Sequence, residues 1–143
     1  MEESPDQMKA YDFQFPYYKV SINGKQKDFI AVSNIQNYKA GKYDKRDFLD
    51  HYAKCFQSDY GETVLVNPEQ KDRNVLIVSD SFGNITDPLF STHYKNTFLY
   101  DPRHTDATLD EFIAKNKASI DDVIFVTTYP MLTHEKFIAA LKS

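Results

Sequence analysis

The chain has one cysteine, no tryptophan and only four glycines among 143 residues. Cys55 has no partner for an internal disulfide, and its helix-like surroundings predict burial as a small hydrophobe. The dinucleotide fingerprint G-x-G-x-x-G is absent, and histidines and cysteine never cluster at ligand spacing. Neither a dinucleotide cofactor nor a metal is therefore expected. A basic excess is lacking too: the formal charge is -4, with both signs mixed along the chain. That excludes an electrostatic footprint for nucleic acid or an anionic membrane. No stretch approaches the roughly 18–20 continuous apolar residues of a membrane span. The acidic first seven residues lack the basic and apolar regions of a targeting signal.

With tryptophan missing, the aromatic content rests on 10 tyrosines and 11 phenylalanines, which suit strands and a compact core and also fit a carbohydrate-facing surface. The length fits a single domain with a core of its own. Residues 1–16 read as a flexible start. Strand-like runs at 17–22 and 27–32 flank Asn23-Gly24, a type I′ turn signal, so residues 17–32 are predicted to form a β-hairpin. Residues 34–42 are a polar connection, and the spacing of Phe48, Leu49, Tyr52, Ala53 and Phe56 predicts an amphipathic helix over 44–56. A short strand follows at 63–66.

From residue 74 the pattern alternates strand and helix: strands at 74–78, 97–100 and 122–128, and helices at 84–94, 108–116 and 134–141. Thr108-Leu109-Asp110-Glu111 has the form of a capping box. Such an order predicts an α/β core over residues 60–143, with a mainly parallel sheet and helices on its faces. The loops after Val78, Tyr100 and Thr128 should then share one edge of the sheet, where sites on open sheets are assembled.

Ser81 lies just past the apolar strand, in Ser79-Asp80-Ser81-Phe82-Gly83. One reading makes it a nucleophile, with backbone N–H groups at the helix start and the Asn84 side chain as oxyanion donors. The other makes it a helix N-cap, with Asp80 and Asn84 satisfying local backbone groups. The motif departs from the nucleophile elbow G-x-S-x-G at Ser79. A serine nucleophile requires a base. His104 is on the predicted edge and His134 near it, whereas His51 and His93 lie on helices directed away; a surface or capping role is open for each.

The segments V-L-I-V-S-D-S-F-G-N at 75–84, L-Y-D-P-R at 99–103, L-D-E-F-I at 109–113 and D-D-V-I-F-V at 121–126 together resemble the C-terminal part of DHHW-type proteins. These belong to the SGNH hydrolase-like superfamily, alongside the alginate O-acetyltransferase-like proteins. The resemblance covers about the last two-thirds of the chain. It implies a flavodoxin-like three-layer sandwich, with Ser81 as nucleophile and its own N–H in the oxyanion hole. It also implies ester-linked acyl groups, typically acetyl groups on extracytoplasmic polysaccharide, as substrates. The usual G-D-S is Ser79-Asp80-Ser81 here, Thr128 stands where relatives often have asparagine, and the Asp-His-His-Trp motif that supplies base and acid is absent.

The expectation is thus a partial serine esterase or O-acyltransferase domain, with catalytic candidates Ser81, Asn84 and His104 and no cofactor. It would be the C-terminal piece of a longer extracytoplasmic or surface protein and would turn over poorly alone. The alternative is a binding module, either a flavodoxin-like phosphate or flavin site at 79–86 or a glycan or partner surface on the hairpin.

Overall fold

The computed structural model describes residues 14–29, 32, 56, 59–116 and 119–141. The expected flexible start up to residue 13, the connection over 34–42 and all but the last residue of the helix over 44–56 lie outside these residues. The described chain is α/β: one six-stranded sheet and three α-helices. Strands β1 (Lys19–Ile22), β2 (Lys25–Lys27), β3 (Glu62–Val66), β4 (Asn74–Ser79), β5 (Asn96–Tyr100) and β6 (Asp122–Val126) stand in the order β2-β1-β3-β5-β4-β6. Helices α1 (Gly83–Ser91), α2 (Leu109–Asn116) and α3 (Glu135–Ala140) connect or follow them, and a 3-10 turn, Tyr129–Thr133, precedes α3.

The sheet is mixed, which corrects the expected mainly parallel arrangement. β4 pairs in parallel with both β5 and β6, as the strand-helix alternation requires. β1 with β2, β1 with β3, and β3 with β5 are all antiparallel. The reason is that the hairpin does not stand apart from the core. β1 pairs with β3 and extends the same sheet, and the two-residue connection forces its strands to run in opposite directions. The turn is as expected, with positive φ at Asn23 (48°) and Gly24 (76°). Asn23 also accepts from the Glu62 amide at 3.0 Å, tying the turn to β3. The second hairpin strand is shorter than its apolar run suggested and ends at Lys27.

Register separates two faces. On one, Val64, Phe98, Leu76, Tyr100 and Val78 lie in line and pack against Phe112 of α2 and Phe137 and Ala140 of α3. On the other, Val20, Leu65, Thr97 and Val75 align, and α1 covers the end near Ser79. β4, flanked on both sides and covered on both faces, is buried from Val75 to its end, which explains its continuous apolar run. The capping box opens α2: Thr108 Oγ1 accepts from the Glu111 amide at 3.2 Å and Glu111 Oε2 from the Thr108 amide at 2.8 Å.

Candidate active site

Because β4, β5 and β6 run parallel, their carboxyl ends meet at one edge, and the three loops leaving them converge there as the sequence predicted. Asp80, the first residue after β4, joins two of these loops. Its Oδ1 accepts from the Phe82 amide at 2.9 Å, shaping the turn into α1. Its Oδ2 accepts from the Thr128 amide at 2.8 Å, the Thr128 hydroxyl at 2.9 Å and the Thr127 hydroxyl at 3.2 Å. Burial works against the charge on Asp80, but the amides of Thr128 and Phe82 and the two threonine hydroxyls outweigh it and hold the carboxyl below its usual range. Thr128 thus ties the loop after β6 to the serine turn.

Ser81 is half-buried in that turn, one residue before Phe82, the N-cap of α1. The N-cap position itself, Phe82, makes no side-chain hydrogen bond. The amides of Phe82, Gly83 and Asn84 are engaged by Asp80 Oδ1, the Asp80 carbonyl and the Ser81 carbonyl. Gly83 allows α1 to start hard against β4: a Cβ there would fall 2.5 Å from Asp87 Oδ2 and 2.6 Å from Ser79 Cβ.

The other two candidates meet on a residue that the sequence did not single out. Asn84 Nδ2 donates to Asp59 Oδ1 at 2.7 Å. His104 Nε2 lies 3.8 Å from Asp59 Oδ2, with the imidazole 44% exposed. Arg103 anchors the same carboxylate, donating from Nη2 to Asp59 Oδ2 at 3.1 Å and to Asp101 Oδ2 at 2.5 Å, while its Nε bonds Asp101 Oδ1 at 2.9 Å. The bonds to Asp101 raise the arginine pKa further. The backbone of the loop after β5 is held in turn: the His104 amide donates to the Asp101 carbonyl, and an added Cβ on Gly61 would collide with the His104 carbonyl. Asp59, Asp101 and His104 offer ligand atoms within 4.8 Å of one another, but the guanidinium of Arg103 already supplies the cation between the two carboxylates.

His134 is brought to the N-cap of α3, where its Nδ1 is buried without a hydrogen-bond partner. His93 is exposed beyond the end of α1, and His51 lies outside the described residues. The partners described for Asp59 come from residues 84, 103 and 104, remote in sequence; Asp87 is a second carboxylate that the sequence did not single out. Asp87 shares the buried side of α1 with Gly83 and Ser91, four residues to either side, a spacing that could have marked it. Its carboxyl is pushed up to about 6 by burial, against the Ser79 hydroxyl and with Asp80 and Asp101 nearby. No described helix is long and apolar enough to cross a membrane.

No family model and no curated protein sequence matches the chain. Solved structures do. Bacillus cereus PatB1 is similar over 87% of this chain and 39% of its own, with 23% identity and a TM-score of 0.64. PatB1 with a sulfonyl adduct is 30% identical over 60% of this chain and 29% of its own, at a TM-score of 0.52. A DHHW family protein from Eubacterium siraeum covers 88% of this chain and 40% of its own, with 18% identity and a TM-score of 0.59. This chain has their fold. It spans no more than about two-fifths of the length of these structures.

Proposed function

We propose that this chain carries an acyl-transfer site of the SGNH type, in which Ser81 attacks an ester-linked acyl group. The observation that carries the reading is the convergence of Asn84 and His104 on the Asp59 carboxylate, at the same sheet edge as the turn bearing Ser81. In this reading His104 takes the serine proton, and Asp59, itself held by Arg103, orients the imidazole. The Asn84 amide has two N–H donors and commits one to Asp59, leaving the second for a developing oxyanion. The Ser81 N–H is the backbone donor that the resemblance to SGNH-type proteins implies; the amides of residues 82–84 are engaged within the turn.

Likeness to PatB1 and to a DHHW family protein supports the assignment, and so does the sulfonyl adduct of PatB1, since sulfonyl groups react with activated nucleophiles. An open cleft of about 190 Å³ adjoins the His104 loop, lined by Pro102, Thr105, Lys136 and Ala139. It leaves room beside the site for part of an acetylated polysaccharide, the substrate class this reading assigns, in an extracytoplasmic setting. The flavin-phosphate alternative is disfavoured by charge: among the described residues, Asp59, Asp80, Asp87 and Asp101 line the cleft beside the turn, against the cation of Arg103.

Release of p-nitrophenol from p-nitrophenyl acetate tests the proposal. Wild type is expected to turn over, Ser81→Ala to fall to background, and His104→Ala to lose roughly two to four orders of magnitude. A wild type indistinguishable from Ser81→Ala overturns it.

A further inference from the structure

Phe82 and Tyr129 are 65% and 82% exposed. Single apolar residues on a surface are ordinary, but these two are not scattered, because they stand on two loops tied to one carboxylate. Asp80 Oδ1 accepts from the Phe82 amide at 2.9 Å and Oδ2 from the Thr128 amide at 2.8 Å. The backbones that carry the two rings are thus held one side chain's span apart, at the carboxyl edge of the sheet. Phe82 directly follows Ser81, and Tyr129 directly follows Thr128. Both places are fixed before any ligand arrives. Phe82 is the N-cap of α1, and Tyr129 opens the 3-10 turn, where Pro130 restricts the backbone and the Thr128 carbonyl accepts from the Met131 amide at 3.0 Å.

We propose that Phe82 and Tyr129 form a platform on which a sugar ring of a neutral glycan packs beside Ser81. The choice of a glycan rests on the acyl-transfer reading, and the choice of a neutral one rests on charge. The two rings offer apolar faces to the C–H side of a pyranose, and the tyrosine hydroxyl can bond the sugar's polar rim. An aromatic side chain has only two rotatable bonds to order, so little conformational entropy opposes the contact. Asp59, Asp80 and Asp101 stand at the same edge, with the Arg103 cation between the first and the last. That field works against uronates and phosphates and leaves neutral sugars unaffected.

The experiment is a nuclear magnetic resonance titration of the full chain, with isotope-labelled Phe and Tyr rings and cellotetraose as the probe. The wild type is expected to show saturable shifts of the Phe82 and Tyr129 ring signals. Phe82→Ala and Tyr129→Ala should each weaken binding about tenfold, and Tyr129→Phe, which keeps the ring, should retain most of it. Both positions are exposed, so the variants are expected to fold; should Phe82→Ala not fold, Tyr129→Ala carries the test. Tyr17, 93% exposed ahead of β1, is the control aromatic, and Tyr17→Ala should bind as the wild type does. Tetragalacturonate should bind about fivefold more weakly than cellotetraose at low salt.

No saturable shift in the wild type, unchanged affinity in the alanine variants at 82 and 129, or a loss in Tyr17→Ala in their stead overturns the proposal. So does tetragalacturonate binding as tightly as cellotetraose. Ring shifts that follow protein concentration and ignore the sugar assign the rings to a contact between copies and overturn it as well. Binding needs no turnover, so the two readings fail separately: a chain that binds cellotetraose through these rings and leaves p-nitrophenyl acetate intact keeps the platform and loses the nucleophile.

Discussion

At Gly83 a single methyl group decides whether α1 can start where it does. The missing Cβ makes room for Asp87 Oδ2 and the Ser79 side chain. Gly83→Ala forces that contact apart at a cost of about 1–3 kcal/mol, against at most about 1 kcal/mol gained in helix propensity. A net loss of stability is expected, read as a lower urea midpoint. Asp87 itself makes stability depend on pH. Burial raises its folded pKa from 3.8 to about 6, so the folded state holds this proton more tightly than the unfolded chain. The contribution is full below the unfolded value and is lost as pH rises through about 6. Between pH 5 and 7.5 the wild type should lose on the order of 1–2 kcal/mol from this group. Asp87→Asn should lack that slope, and urea unfolding of both proteins at the two pH values checks it.

Beyond the strand pairing, side chains at the ends of elements tie them together. Asp80 is the junction between β4, the start of α1 and the loop after β6, accepting bonds from Phe82, Thr127 and Thr128. Because those bonds favour the ionised form, its contribution runs opposite to that of Asp87. It is present above the unfolded carboxylate pKa and is lost as pH falls through the lowered folded value. Asp80→Asn places an amide group where acceptors are needed and should cost about 1.5–3 kcal/mol. Faster hydrogen exchange at the Thr128 amide, with that of α2 unchanged, would locate the loss at this junction. The capping box of α2 shows the opposite situation, a junction made within four residues and therefore readable from residues 108–111 alone.

For the molecule as a whole, the hairpin is part of the core and not an appendage. Val20 is fully buried, and the Tyr18 hydroxyl meets the Ser91 hydroxyl of α1 at 2.8 Å, a contact between residues 73 apart. Burial raises the Tyr18 pKa, with the Ser91 bond opposing it. Tyr18→Phe removes the bond and keeps the ring, and should cost about 0.5–1.5 kcal/mol. Amide exchange in β1 and in the last turn of α1 should rise together, which separates a shared contact from a local one. The same long-range logic governs the candidate site: Asp59 becomes its centre only when the loops carrying Asn84 and Arg103 reach it.

Periodicity and turn chemistry settle what depends on neighbours in the chain. They place the central strand at residues 74–78, one residue short of its observed end, the alternation after it, the Asn23-Gly24 turn and the capping of α2, because each is governed by interactions within a few residues. They also bring residues 79–84, 101–106 and 127–133 to one edge, since parallel strands leave their loops together. Folding alone decides that β1 and β3 join that sheet in the antiparallel sense, because strand partners are chosen by burial across the sheet and not by order in the chain. It decides also that Asp59 gathers Asn84, Arg103 and His104, and that one oxygen of Asp87 is buried without a hydrogen-bond partner. Those properties belong to distances between remote residues, and no local pattern encodes them.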